Sequence, residues 1–85
     1  MKIHVTEKDL RCPCVTALHN PISLALRRET GDFWYVFDGS TIRRMIAPLE
    51  PISLPAQVSQ WWHAYKGLRS VHPIEFEVDV TKKTV

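Results

Sequence analysis

The sequence predicts an α+β fold, a single domain with two helices packed on one face of a four-stranded sheet. Three observations carry this prediction. Apolar and polar residues alternate in three stretches, at 1–6, 33–47 and 74–80, as they do in half-buried strands. Apolar residues return at three- and four-residue spacing in 21–30 and 55–66, the period of a helix with one buried side. Proline, glycine and asparagine fall between these stretches, where turns and caps need them. The resulting order is strand, helix, strand, strand, helix, strand. A ferredoxin-like split βαβ arrangement has the same order.

Ile3 and Val5 alternate with His4 and Thr6, which predicts a short strand over 1–6. Residues 7–19 hold Cys12-Pro13-Cys14 and the apolar group Val15, Ala17 and Leu18 without a clear period, so they read as an irregular loop. Asn20-Pro21 then predicts a helix start. The asparagine side chain accepts bonds from first-turn amides, and proline at the first position has no amide to leave unpaired. Ile22, Leu24, Ala25 and Leu26 supply the apolar face, and Gly31 stands where a left-handed residue closes a helix. Phe33-Trp34-Tyr35-Val36-Phe37 is aromatic and β-branched and reads as a strand. Asp38-Gly39-Ser40 is a turn, and the strand after it puts Ile42 and Ile46 on one face and Arg43 and Met45 on the other. Together they form a hairpin over 33–47.

Pro48, Pro51 and Pro55 punctuate the next connection, which excludes a central strand there. A helix over 55–66 follows, capped by Ser53 or Leu54, with Val58, Trp61, Trp62, Tyr65 and Leu68 in one stripe and Gly67 as its stop. The strand over 74–80 alternates cleanly, Ile74, Phe76, Val78 and Val80 inward against Glu75, Glu77 and Asp79 outward. Residues 81–85 are expected to fray.

The 85 residues suffice for one domain, and a 45% hydrophobic content with 24% charge excludes a disordered chain. Eleven basic and nine acidic residues leave a net charge of +2, far from the basic excess of a typical nucleic-acid binder. No apolar run approaches the roughly 18–20 residues of a membrane span, and the first residues lack the apolar core of a signal peptide. The expectation is a cytoplasmic protein that makes no membrane contact. Cys12 and Cys14 are the only cysteines, and bridging them would close a strained ring that staples nothing distant. They are expected to be reduced thiols.

Several local strings together resemble a family of small phage and prophage proteins of uncharacterised function. They are Ile3-His4-Val5-Thr6, the acidic Glu7-Lys8-Asp9-Leu10, the helix Asn20 to Asp32 opened by a small residue and proline, the Leu54-Pro55 helix through Tyr65, and Pro73-Ile74-Glu75-Phe76-Glu77. The chain departs from that pattern in having Asn20 where a cysteine is expected, and in its Cys12-Pro13-Cys14 loop. The resemblance implies a phage or prophage origin in an infected or lysogenic bacterial cell, without an activity to carry over.

The residue types present bear on four kinds of chemistry. A zinc site would draw on Cys12, Cys14 and His19 with His4, His63 or His72, but one residue between the cysteines and no second pair argue against it. A cysteine nucleophile with His19 or His63 lacks a local signature, and Gly31, Gly39 and Gly67 form no phosphate loop. Glu75, Glu77 and Asp79 share one exposed strand face, where their environments do not differ as acid/base work requires. The chain is therefore expected to be no enzyme and to use no cofactor or metal.

Binding is the remaining class. Trp61 and Trp62 point about 100° apart on a helix, and Trp34 points opposite Phe33 and Tyr35. Some tryptophan surface is thus expected at the periphery, beside Arg43 and Arg44. Tryptophan, tyrosine and arginine dominate the energetics of protein interfaces. Trp34, Arg43, Arg44 and Trp62 are the predicted partner contacts, with Glu75 and Glu77 as the alternative face. The expected partner is a host or phage protein. Inhibition of a host process such as CRISPR-type defence follows from the resemblance alone. A homodimer through an edge strand or tryptophan competes for the same surface. Basic residues come in the pairs Arg27-Arg28, Arg43-Arg44 and Lys82-Lys83. The alternatives are a nucleic-acid-binding accessory protein, with the hairpin arginines Arg43 and Arg44 and the 33–37 aromatics gripping a single strand, and a virion structural or assembly component.

Overall fold

The computed structural model describes residues 1–11, 15–45, 51–67 and 71–78. Its elements are β1 (Lys2–Val5), α1 (Glu7–Leu10), α2 (Pro21–Thr30), β2 (Trp34–Phe37), β3 (Thr41–Arg44), β4 (Ile52–Ser53), α3 (Ala56–Lys66) and β5 (Ile74–Glu77). The α+β class stands, but the single four-stranded sheet does not. Among the described residues the strands form an antiparallel pair, β1–β5, and a separate antiparallel sheet in the order β2–β3–β4. Joining them would require β1 or β5 to pair with an edge of the β2–β3 hairpin. On one side that edge is taken by β4, with Ile42 opposite Ile52 and Thr41 opposite Ser53. On the other, the Val36 amide donates to the Ala17 carbonyl at 2.9 Å. The proline-rich connection thus supplies a two-residue edge strand, which its prolines allow.

Both sheets feed one core. Ile3, Val5, Phe76 and Val78 come from the β1–β5 side, Trp34, Val36 and Ile42 from the hairpin, Ile22, Ala25 and Leu26 from α2, and Val58, Trp61 and Trp62 from α3. The helix α2 packs against both β1 and β2 and so bridges the two sheets. Its start is built as the sequence suggests. The Asn20 side chain accepts from the Ser23 amide at 2.9 Å, and Ser23 Oγ accepts from the Asn20 amide at 2.9 Å. Asn20 is also fully buried, and its Nδ2 donates to the carbonyls of Thr16 (2.8 Å) and Ala17 (3.2 Å). The cap therefore also shapes the loop whose Ala17 carbonyl meets β2. Gly31 closes α2 in the left-handed region, φ 82°.

The segment expected to be irregular over 7–19 opens instead with the single turn α1. Thr6 and Asp9 form a capping box: the Thr6 amide donates to Asp9 Oδ2 at 2.9 Å and the Asp9 amide to Thr6 Oγ1 at 3.4 Å. One turn is too short to show a period, and the signal lay in the Thr6-to-Asp9 spacing. Asp9 is 4% exposed and is held by the Arg28 fork, Nη1 to Oδ1 at 2.9 Å and Nη2 to Oδ2 at 3.0 Å. The same Nη2 donates to the His4 carbonyl at 2.6 Å. One guanidinium thus ties α1, α2 and β1 together, in the two-pronged geometry that suits arginine and carboxylate.

α3 begins after Pro55, which makes no side-chain cap bond, so neither Ser53 nor Leu54 is the cap. The adjacent tryptophans of α3 face different neighbours. Trp61 Nε1 donates to the His72 carbonyl at 2.7 Å, fastening α3 to the segment before β5. Trp62 lies against the hairpin turn, where a Cβ added to Gly39 would collide with Trp62 Cβ and Cγ. The expected continuation of the hairpin to 47, Leu68, the end of the 74–80 strand and the 81–85 tail lie outside the described residues. No helix among the described residues is long and apolar enough to cross a membrane.

Burial of the Asp9 carboxyl raises its pKa, but the Arg28 hydrogen bonds and charge and the Thr6 amide together outweigh that and hold it below the ordinary 3.8. The stabilisation this represents is fully present above the unfolded-state value and is lost as pH falls through the folded one. Asp9→Asn should cost about 1–3 kcal/mol at neutral pH. Urea midpoints measured from about pH 5 to about pH 3 should fall less steeply in the variant than in the parent. Equal acid sensitivity of the two proteins would contradict this role.

Candidate partner-binding face

The hairpin turn fixes which side chains of β2 and β3 share a face. Asp38 (φ 54°) and Gly39 (φ 66°) are both left-handed, the backbone that matches the twist of a tight hairpin. Ser40 donates its amide to the Phe37 carbonyl at 3.0 Å. The ladder then sets Phe37 opposite Thr41, Val36 opposite Ile42, Tyr35 opposite Arg43 and Trp34 opposite Arg44. The Met45 amide donates to the Phe33 carbonyl at 3.0 Å and extends the pairing by one step. Because strand side chains alternate, Trp34, Val36 and Ile42 fall on the inner face. Phe33, Tyr35, Phe37, Thr41, Arg43 and Met45 fall on the outer one.

Exposure follows this division. Trp34 is 1% exposed, while Phe33, Phe37 and Met45 are 40%, 44% and 37% exposed. Tyr35 and Phe37 stack with ring centroids 6.1 Å apart and planes 25° from parallel. Arg27 from α2 sets its guanidinium carbon 4.2 Å from the Phe33 ring centroid, a cation–π contact that extends the surface past the end of the strand. A shallow groove on this side is lined by Ala17, Tyr35, Phe37, Arg43, Arg44 and Met45. Arg43 is exposed, and its side chain makes no ion pair or hydrogen bond with a described residue.

The residues predicted as partner contacts separate into three groups. Arg43 lies on the outer face, at its centre. Arg44 lines the groove but is engaged: its Nε donates to Asp32 Oδ2 at 3.2 Å and its guanidinium carbon sits 4.8 Å from the Trp34 ring centroid. Trp34 and Trp62 are a correction, since both rings are core. Trp34 Nε1 donates to Thr30 Oγ1 at 2.9 Å, and Trp62 is 6% exposed. Adjacent tryptophans need not leave one at the periphery when they are covered by two different elements. Glu75 and Glu77 lie on β5, paired with β1 and not with the hairpin. Glu75 meets Lys2 Nζ at 3.8 Å and His4 Nδ1 at 3.1 Å, and Glu77 meets the Met1 amine at 3.3 Å. These are exposed pairs of small energetic weight.

The sequence names Phe33, Tyr35 and Phe37 only as stacking aromatics for a nucleic acid, and Met45 not at all as a contact. The signal existed: Ile42 inward and Arg43 outward, carried across the turn in register, already make Val36 inward and Tyr35 outward. The four histidines are dispersed over β1, the loop before α2, α3 and the segment before β5. Among the described residues no three His, Cys, Asp or Glu side chains are grouped to hold a metal ion. Cys12 and Cys14 lie outside them.

No family model, no curated protein and no solved structure matches this chain.

The two faces of β2 should respond differently to substitution. Trp34→Ala empties a buried site and should cost about 3–5 kcal/mol. Phe37→Ser removes an exposed ring and should change stability by no more than about 0.5 kcal/mol. Chemical denaturation of the two variants reads both values, and a large loss for Phe37→Ser would place that ring in the core.

Proposed function

We propose that this chain is a small non-enzymatic binding protein that acts by docking the outer face of its β2–β3 hairpin onto another protein. The outward row of exposed Phe33, half-buried Tyr35 and exposed Phe37, facing Met45 and Arg43 across the ladder, carries this reading. Aromatic residues, methionine and arginine are the types enriched at protein interfaces. Held on a paired strand, they need little further ordering to be buried. The resemblance to small phage and prophage proteins suggests a host or phage protein as the partner, and inhibition of a host process such as CRISPR-type defence as the use of that binding.

A single-stranded nucleic acid fits the same face less well. Its affinity rises with the number of phosphates neutralised. Here Arg44 is bound to Asp32, which leaves Arg43, and Arg27 over the Phe33 ring, as the cations of the face without an ion-pair partner among the described residues, a small number for gripping a phosphate backbone.

The tagged protein, the double variant Tyr35→Ser/Phe37→Ser and the variant Glu77→Gln should be compared as baits in nuclease-treated bacterial lysate. The reading predicts one dominant protein bound by the parent and by Glu77→Gln and lost by the double variant. It also predicts only a weak dependence on salt. Recovery that disappears with nuclease would favour the nucleic-acid reading. Capture unaltered by the double variant would overturn the proposed face, and recovery of the bait alone as a dimer would assign that face to self-association.

A further inference from the structure

We infer that the partner surface for this face is acidic as well as apolar: an apolar side chain seated on Tyr35, Phe37 and Met45 beside a carboxylate that pairs with Arg43. This rests on the reading of the hairpin as a protein-binding face and specifies the chemistry of what it binds. The argument is one of charge complementarity. Among the described residues that line it, the groove has two guanidinium groups, Arg43 and Arg44, and no carboxylate. Among the described residues, the acidic side chains closest along the chain are committed or displaced: Asp32 is bound to Arg44, and Asp38 sits in the turn at the hairpin tip. Arg43 stands directly across the ladder from Tyr35, so a segment covering the Tyr35 and Phe37 rings also covers the guanidinium.

That coverage decides the preference. An occupant with no acceptor would strip water from Arg43 and return nothing, and a neutral carbonyl would return less than a carboxylate. A basic occupant would add repulsion. A carboxylate accepts from two N–H groups of one guanidinium, and its attraction grows as the surrounding apolar side chains exclude water. The same contact at the edge of the face, left in water, would be worth little. Its position among Tyr35, Phe37 and Met45 is what gives Arg43 a say in specificity.

The probe is a library of short random peptides displayed on filamentous phage and selected on the immobilised full chain. The recovered pool should be enriched in Asp or Glu next to Phe, Leu, Trp or Met. A recovered peptide should bind Arg43→Gln about tenfold more weakly than the parent. Selection on Arg43→Glu should turn the enrichment toward Lys and Arg. A pool that is lost on Tyr35→Ser/Phe37→Ser, yet shows no acidic preference and binds Arg43→Gln equally well, would overturn the inference and leave the binding face in place. A pool indifferent to the Tyr35 and Phe37 substitutions, or no enrichment over the starting library, would overturn both.

Discussion

Strand β2 cannot bury Trp34 without exposing the aromatic residues on either side of it, because successive side chains of a strand leave opposite faces. The inner residues Trp34 and Val36 reach the core shared by the two sheets and the two long helices. Phe33, Tyr35 and Phe37 are thereby turned outward, and the hairpin register adds Thr41, Arg43 and Met45 beside them. An apolar surface on a small protein is a liability when nothing covers it. A run of five residues, four of them aromatic, is an odd choice for a strand that needs only one apolar face. It is well suited to a strand that is buried on one side by its own chain and on the other by a partner.

Other contacts hold this strand in place. Trp62 fills the space that Gly39 leaves in the turn, so the tip of the hairpin is braced by α3. Trp34 is anchored through its indole to Thr30 at the end of α2, and Thr30 Oγ1 in turn donates to the Leu26 carbonyl at 2.7 Å. Arg44 closes over the Trp34 ring and is itself fixed by Asp32. At the far end of α2, the Asp9–Arg28 fork joins the helix to α1 and β1. A helix pinned at both ends thus sets the position of the strand whose outer side is free. Removing either partner of the Asp9–Arg28 pair strands a charge or a buried acceptor, which is why its cost exceeds that of the exposed pairs on β5.

Much of this was legible in the sequence wherever a pattern was long enough to have a period. The α2 helix, its Asn20 cap and Gly31 close, the hairpin, the Trp-bearing helix and the terminal alternating strand were all readable from residue type and spacing. Three features were not. The turn α1 is too short for periodicity, and only its capping box marked it. The division into two sheets depends on which chain segment reaches the hairpin edges first. That is a long-range competition, won by Ala17 and Ile52, which no local pattern encodes. The burial of Trp34 and Trp62 depends on partners in other elements, Thr30 and Arg44 for one and Gly39 for the other. Residue type alone made the tryptophans look like interface residues. The less conspicuous Phe33, Tyr35, Phe37 and Met45 occupy the outside because Ile42 and Arg43 fix the parity of the ladder.

Hydroxyl-radical footprinting tests the claim that one face of the hairpin is core and the other is a binding surface, since aromatic residues and methionine are all readily oxidised when solvent reaches them. In the free protein Phe33, Tyr35, Phe37 and Met45 should label readily while Trp34 and Trp62 label slowly, despite the greater intrinsic reactivity of indole. With the captured partner bound, labelling of those four residues should fall and that of Met1, near the β1–β5 sheet, should not. Fast labelling of Trp34, or protection that spares the hairpin and falls on β1 and β5, would contradict the account.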